Sequence, residues 1–300
     1  MPERLFLFMQ LEFPWELGPP DGRYLLRTRQ VGGRAAIHGG DDARGAQPER
    51  VVVLNTLGAP RHAGRSALGL PGVGSSRRAR RPRETTPEPA PVATSRATIV
   101  DPVSVSAETQ AQAWLSAIDA ERETLAAVAV LNRVLFSHRI AAADPHTHEI
   151  SPAQALVIRA GWGDGEHVAE GLWLHAHELP WVQSTRTRRR AAALRPQERV
   201  AELLGARSEE LLCEELALRA RLDLDEGRLP HATHELNAAL AAAQRELGEE
   251  ANPALTPRLE ELHTLHAGLS EQPDESDLRH ALERLEAALR ARTAGGFAKS

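Results

Sequence analysis

The first hundred residues alternate short apolar runs with turn-forming residues, a pattern typical of β-strands. Three such runs, 4–13, 23–29 and 49–57, are separated by stretches that contain Pro, Gly and Asp. A fourth run, 97–105, has the same character and follows a long polar stretch. We therefore predict a small N-terminal antiparallel β-sheet, one face of which needs a covering layer.

Beyond about residue 105 the apolar positions recur at helical spacing. Ser106 and Asp119 are suitable N-cap residues for two successive helices, and Thr256 followed by a proline is suitable for a later one. The second helix carries its apolar residues three and four positions apart, as does the last one, at Leu125, Val128, Leu131 and Leu135 and at Leu278, Leu282, Leu285 and Leu289. Residues 153–161 fit either a helix or a strand. The fold class predicted is α+β, with the sheet domain followed by a mainly α-helical domain.

A basic, Gly- and Pro-rich segment at 61–96 interrupts the predicted sheet. It holds eight arginines against two glutamates, a net charge of +6, whereas the whole chain carries −5. With little to bury, such a segment is expected to be disordered. We predict a β-rich domain at 1–105 with this insertion, a helical domain at 106–292, and a flexible tail at 293–300.

Composition narrows the functional classes only a little. The chain is 42% apolar and 26% charged, as in globular proteins, and its single lysine among many arginines is typical of a GC-rich, bacterial coding sequence. Cys213 is the only cysteine, which excludes an intramolecular disulfide and a cysteine-rich zinc site; its apolar neighbours favour a buried side chain. No signal peptide or long apolar span is evident, so a cytoplasmic location without membrane contact is expected.

Two His-x-His-Glu sequences are the candidates for a metal site. They place His146 with His148, and His175 with His177, at alternate positions. On a strand, alternate side chains point to the same side and can bind one ion together. A third ligand would be needed, and the nearest candidates are Glu149, Glu178, His138 and His167. Surface histidines are the alternative interpretation, since the chain has 13 histidines.

Between these pairs lies a glycine-rich stretch, 161–165, that resembles the first motif of class I methyltransferases. Gly161, Gly163 and Gly165 match the motif, whereas Arg159 stands where the family has an acidic residue. A turn that joins two elements is the other interpretation. A separate stretch, 69–76, resembles a phosphate-binding loop but has Ser75 in the position of the lysine.

Residues 213–246 resemble one tetratricopeptide-type helical hairpin. Gly227 ends its first helix, and small or aliphatic residues stand where the two helices of the family pack together, at Ala220, Ala232, Leu236 and Ala239. Asp223 departs from the tyrosine of the family, and no second copy lies 34 residues away. The resemblance implies a surface for protein contacts.

Three functions are consistent with these patterns. We expect foremost a non-enzymatic interaction or scaffold protein that binds a protein partner, or itself, through helical surfaces. The alternative is a metal-dependent or methyl-transferring enzyme centred on 146–178. The third is a nucleic-acid-associated factor that uses the arginines of 61–96 and 186–190. No cofactor is expected in the first case.

Overall fold

The computed structural model describes residues 4–27, 49–58, 92–182, 195–249, 252–253, 255–270 and 272–297. The chain divides into two compact units, 1–182 and 183–300. The predicted boundary at 105 falls inside the first unit, because two further strands and two helices of that unit follow it. The predicted insertion at 61–96 lies mostly outside the described residues, and 94–96 belong to a strand.

The first unit contains one six-stranded antiparallel sheet, which confirms the predicted fold class. The strand order is β2-β3-β4-β1-β5-β6, and each neighbouring pair is antiparallel. The strands are β1 (Leu5–Phe13), β2 (Gly22–Leu26), β3 (Arg50–Leu57), β4 (Thr94–Val100), β5 (Val157–Asp164) and β6 (His175–Glu178). Residues 153–161, which fitted either element, thus contribute a 3-10 turn and most of β5.

Two helices cover one face of the sheet, α1 (Glu108–Ser116) and α2 (Ala120–Ala142). The odd-numbered residues of β1, among them Leu11 and Phe13, point to these helices because side chains alternate along a strand. The Asp119 side chain accepts a hydrogen bond from the backbone of Arg122 and caps α2, as predicted. The α1 N-cap is Ala107, one residue after the predicted Ser106.

The α2 helix is the one helix of the described residues that is long and apolar enough to cross a membrane. Its inner side instead packs on the sheet, where Val128, Leu131, Val134 and Leu135 are buried. The apolar character of α2 is therefore accounted for by the core of this unit.

The opposite face of the sheet has a smaller cover. A 3-10 segment, Gly165–Glu170, crosses it and buries Val168 against Phe8 and Val100. Beside this apolar cluster, Gln10 donates a hydrogen bond of 2.9 Å to Thr98, and both residues are fully buried. We call this side of the sheet the second face.

The second unit is helical. Its helices are α3 (Pro196–Leu204), α4 (Leu212–Asp225), α5 (Leu229–Glu246), α6 (Thr256–Gly268) and α7 (Glu275–Phe297). Helices α4 to α7 share one core, in which α7 contacts α4, α5 and α6. Leu278, Leu282 and Leu285 are buried there, as their spacing indicated. Two predicted ends differ: Leu255, not Thr256, is the N-cap of α6, and α7 extends through 293–297 of the predicted tail.

Candidate functional site

The stretch 161–178 folds as a connection between two neighbouring strands. The chain leaves β5 at Asp164, forms the 3-10 segment across the second face, and turns at Gly171, whose φ is +88°. It then returns as β6, antiparallel to β5. The methyltransferase motif belongs to a strand of a parallel sheet followed by a helix, whereas every strand pair of the described residues is antiparallel.

The glycines of β5 are explained by close packing. A Cβ atom on Gly161 would meet the Phe8 ring at 2.8 Å and the Cα atom of Ala176 at 2.9 Å. A Cβ atom on Gly163 would lie 3.1 Å from the Cα atom of Trp173. Because two of these neighbours are backbone atoms, a side chain at either position would displace the returning chain. The glycine pattern thus has a structural cause that needs no cofactor.

His175 and His177 lie on β6 opposite Trp162 and Ala160, and both are exposed. The ring of His175 packs on the Trp162 ring, with centroids 4.7 Å apart, and its Nε2 atom is 3.9 Å from a carboxylate oxygen of Glu108. Trp173, two positions before His175, does not share the face of these histidines, because the strand begins only at His175 and Trp173 packs against Phe8 on the second face.

His146 and His148 are exposed in the loop that follows α2. Buried Thr147 between them donates a hydrogen bond of 2.9 Å to Asp144. Glu149, a candidate third ligand, is 3% exposed and lies 3.5 Å from Arg139, so its charge is already compensated.

Two of the other three candidate third ligands, one on β6 and one in the 3-10 segment, also have partners. Glu178 is 3.4 Å from Arg159, and His167 is 3.5 Å from Glu170. Among the described residues, no three His, Cys, Asp or Glu side chains come together in a way that would hold a metal ion.

The second face carries an ionic cluster that sequence patterns did not reveal. One carboxylate oxygen of Glu12 lies 3.1 Å from Arg96 on β4 and 3.0 Å from Arg159 on β5. Arg96 also donates to the carbonyl of Glu170, and the Arg159 guanidinium lies 5.7 Å from the Trp173 ring centre. These contacts join three strands to the covering segment. Because all three charged side chains are largely buried, their loss should destabilise the unit.

The large apolar side chains that the helical unit exposes belong to two helices that follow one another in the chain. In the described residues of this unit, five such side chains are exposed, and all belong to α3 and α4: Val200, Leu204, Leu212, Leu218 and Leu222. Leu204 is 85% exposed and Leu218 is 67% exposed. We call this group of five the α3/α4 surface. Exposed large apolar side chains mark an interaction site where they are contiguous on the surface.

The opposite side of α4 contacts other helices of the same unit. Arg221 forms a 2.9 Å ion pair with Glu286 of α7, and Glu214 lies between Arg199 of α3 and Arg292 of α7 at 3.3 and 3.4 Å. Residues 217, 220 and 224 are buried among the helices on this inner side. The ion pairs and the core therefore fix α4 with Leu218 and Leu222 directed outward.

The helices α4 and α5 form the predicted hairpin. Gly227 has a φ of +70° at the turn, and the small and aliphatic residues at 220, 232, 236 and 239 are buried. The resemblance to the tetratricopeptide family stays a prediction, because α7 packs against both helices of this hairpin and the four helices enclose one core.

Cys213 begins this hairpin and is fully buried, as predicted. Burial and the neighbouring Glu246 carboxylate raise the pKa of its thiol, which makes a nucleophilic role unfavourable. Partial burial of Glu246 opposes ionisation, but the N–H groups of Cys213 and Leu212, at 3.0 and 3.2 Å, outweigh it and hold the pKa of Glu246 below its usual value. Glu246 thus stabilises the N-terminus of α4 from the end of α5.

The arginine-rich stretches that suggested nucleic acid, 61–91 and 186–190, lie outside the described residues. Comparisons of the chain with protein families, with curated proteins and with solved structures give no match. The site geometry is therefore the basis for any functional inference.

Proposed function

We propose that the chain is a non-enzymatic interaction or scaffold protein that binds a protein partner, or a second copy of itself, through the α3/α4 surface. The observation that carries this proposal is the restriction of exposed large apolar side chains, within the described part of the helical unit, to α3 and α4. The tetratricopeptide-like hairpin agrees with such a role, since α4 is its first helix.

The free energy that binding gains by covering these side chains can be worked out from their exposed fractions. Complete burial of a leucine side chain contributes about 1.5–3 kcal/mol. Leu218 is 67% exposed, so covering it contributes about 1–2 kcal/mol, and Leu204 at 85% somewhat more. Five side chains of this kind form the apolar centre of an interface, which polar contacts at the rim must complete.

The net charge of the helical unit indicates which polar contacts would complete the rim of the interface. Residues 197–290 carry 21 acidic and 10 basic side chains, a net charge of −11. A partner with an apolar centre and an arginine- or lysine-rich rim would complement this unit and associate faster at low salt. We further propose a location in the bacterial cytoplasm without membrane contact; the packing of α2 against the sheet supports the absence of membrane contact, and the arginine-rich, lysine-poor composition supports a bacterial source.

The proposal is tested with the double variant Leu218→Asp/Leu222→Asp in the full-length chain. Both side chains are exposed, so the fold should be retained, which circular dichroism checks. Leu172→Asp in the sheet unit is the matched control, because Leu172 is 63% exposed.

Two measurements complete the test. Sedimentation velocity over a range of concentrations detects self-association, and affinity capture from cells of the source organism detects other partners. We expect a self-association or a captured protein that wild type and Leu172→Asp share and the double variant loses. Association unchanged by the double variant, or no association of either kind, would refute the proposal.

A further inference from the structure

The sheet unit contains a cleft that is separate from the α3/α4 surface. It lies between the sheet and the two covering helices and has a volume of about 240 Å³. The apolar side chains of its lining come from β1, β4, α1 and α2 and include Leu7, Met9, Ile99, Trp114, Ala127 and Val130. A dry apolar cavity of ~150 Å³ suffices to bind benzene, so this cleft has room for one ring and a short chain.

The rim of the cleft is predominantly acidic. Three carboxylates, Glu49, Asp101 and Glu123, line it together with one guanidinium, that of Arg50. Glu49 and Glu123 each have an arginine beside them outside the cleft, Arg133 at 3.4 Å and Arg122 at 3.0 Å. Asp101 has the longest of the three arginine contacts, 3.9 Å to Arg50, so its charge is the least compensated of the three carboxylates.

Asp101 is placed to receive a cation. Its Oδ1 atom accepts a 2.9 Å hydrogen bond from the backbone of Val103, which fixes the carboxylate. Its Oδ2 atom forms an ion pair with the Arg50 guanidinium at 3.9 Å, which is too long for a hydrogen bond, so this oxygen can still accept one. An ammonium group can donate to this oxygen while its apolar body lies against Trp114.

We propose that this cleft binds a small primary amine whose apolar body is one ring or a short aliphatic chain. The apolar walls hold the body and the Asp101 carboxylate pairs with the ammonium group. This binding does not depend on the interaction role proposed for α3 and α4, because the two sites share no residue.

Three probes of nearly equal size and shape test the proposal: 2-phenylethylamine, neutral 2-phenylethanol and anionic 3-phenylpropionate. Binding to the full-length chain is measured by calorimetry and by the amide and indole N–H resonances, including that of Trp114. For so few atoms we expect a Kd of about 1 mM or tighter for the amine. The alcohol should bind about tenfold more weakly and the anion more weakly still, since only the ammonium forms a charged hydrogen bond.

Variants identify the residues responsible. Asp101→Asn keeps the shape of the side chain and should weaken amine binding about tenfold while leaving the alcohol unchanged. Ala126→Phe, which places a ring at the cleft wall, should abolish binding of both. Glu121→Gln, on α2 but outside the cleft, is the control and should change nothing. Equal affinity for the three probes, no binding at 5-fold the expected Kd, or an unaltered Asp101→Asn variant would overturn the proposal.

Discussion

Replacing Gly161 by alanine tests the structural explanation of the glycine-rich stretch. The new methyl group would lie 2.8 Å from the Phe8 ring and 2.9 Å from the Cα atom of Ala176, with the His175 carbonyl closer still. The Phe8 ring can tilt, but the two atoms of β6 belong to the backbone. Relief therefore requires β6 to move away from β5, which would break their hydrogen-bonded pairing.

The size of the effect follows from this geometry. Forcing one methyl group into a packed interior typically costs about 1–3 kcal/mol. We expect the upper end, about 3 kcal/mol, because the clash involves backbone atoms that cannot change rotamer. A loss of that size is a large fraction of the 5–15 kcal/mol by which folded proteins are usually stable.

Tryptophan fluorescence during urea denaturation measures this loss in the sheet unit alone. All five tryptophans of the chain belong to that unit, at Trp15, Trp114, Trp162, Trp173 and Trp181. Gly165→Asn is the matched control, since the position has φ of +49°, which asparagine tolerates, and no atom near the added Cβ. We expect the control to cost under ~1 kcal/mol. A Gly161→Ala protein within about 0.5 kcal/mol of wild type would refute the packing explanation, because changes of that size are typical of unconstrained surface sites.

Three further outcomes follow from the structure. Glu12→Gln should destabilise the sheet unit by about 2 kcal/mol in the same fluorescence assay, since it leaves two largely buried arginines without their shared carboxylate; an unchanged midpoint would contradict the role of this cluster. Glu246→Gln should cost about 1 kcal/mol at pH 7, measured by urea denaturation followed at 222 nm. The pKa of Glu246 is lower in the folded protein than in the unfolded chain. Its contribution to the free energy of unfolding is therefore present above the unfolded pKa of ~4.3 and is lost as pH falls through the folded pKa. The stability difference between wild type and Glu246→Gln should shrink on acidification, and a difference that is constant with pH would contradict this role of Glu246. A tenfold excess of Zn²⁺ should shift the Tm of wild type and of His175→Ala by no more than about 1 °C, because a ligand stabilises only a protein that binds it; a rise in wild type alone would restore the metal-site hypothesis.

The sequence was sufficient for the elements whose cause is local. The strands β1 to β3 were predictable because apolar residues lie between turn formers, and α2 because Asp119 precedes a regular apolar spacing. The existence of β4 was predictable too, but it runs over Thr94–Val100 and not over the predicted 97–105. The strand β6 was not, since His-Ala-His-Glu contains no large apolar residue and is held as a strand by pairing with β5. The orientation of Trp173 is likewise not evident from local patterns, because it depends on where β6 begins.

The ionic cluster of the second face was beyond local patterns. Glu12 and Arg159 are separated by 147 positions, and only the register of β1 with β5 brings them together. The α3/α4 surface could not be predicted from the sequence for a different reason. Leucines occur on several sides of α4, and the exposed ones can be identified only once α5 and α7 are known to cover the other side.

Photo-crosslinking from position 218 in living cells measures the proposed interaction most directly. A photoreactive phenylalanine derivative replaces Leu218 in one protein and Leu172, of similar exposure, in the control. We predict a discrete protein adduct, either with a partner or with a second copy of the chain, from position 218 and none from position 172. No adduct from 218, or the same adducts from both positions, would contradict the assignment of α3 and α4 as the binding surface.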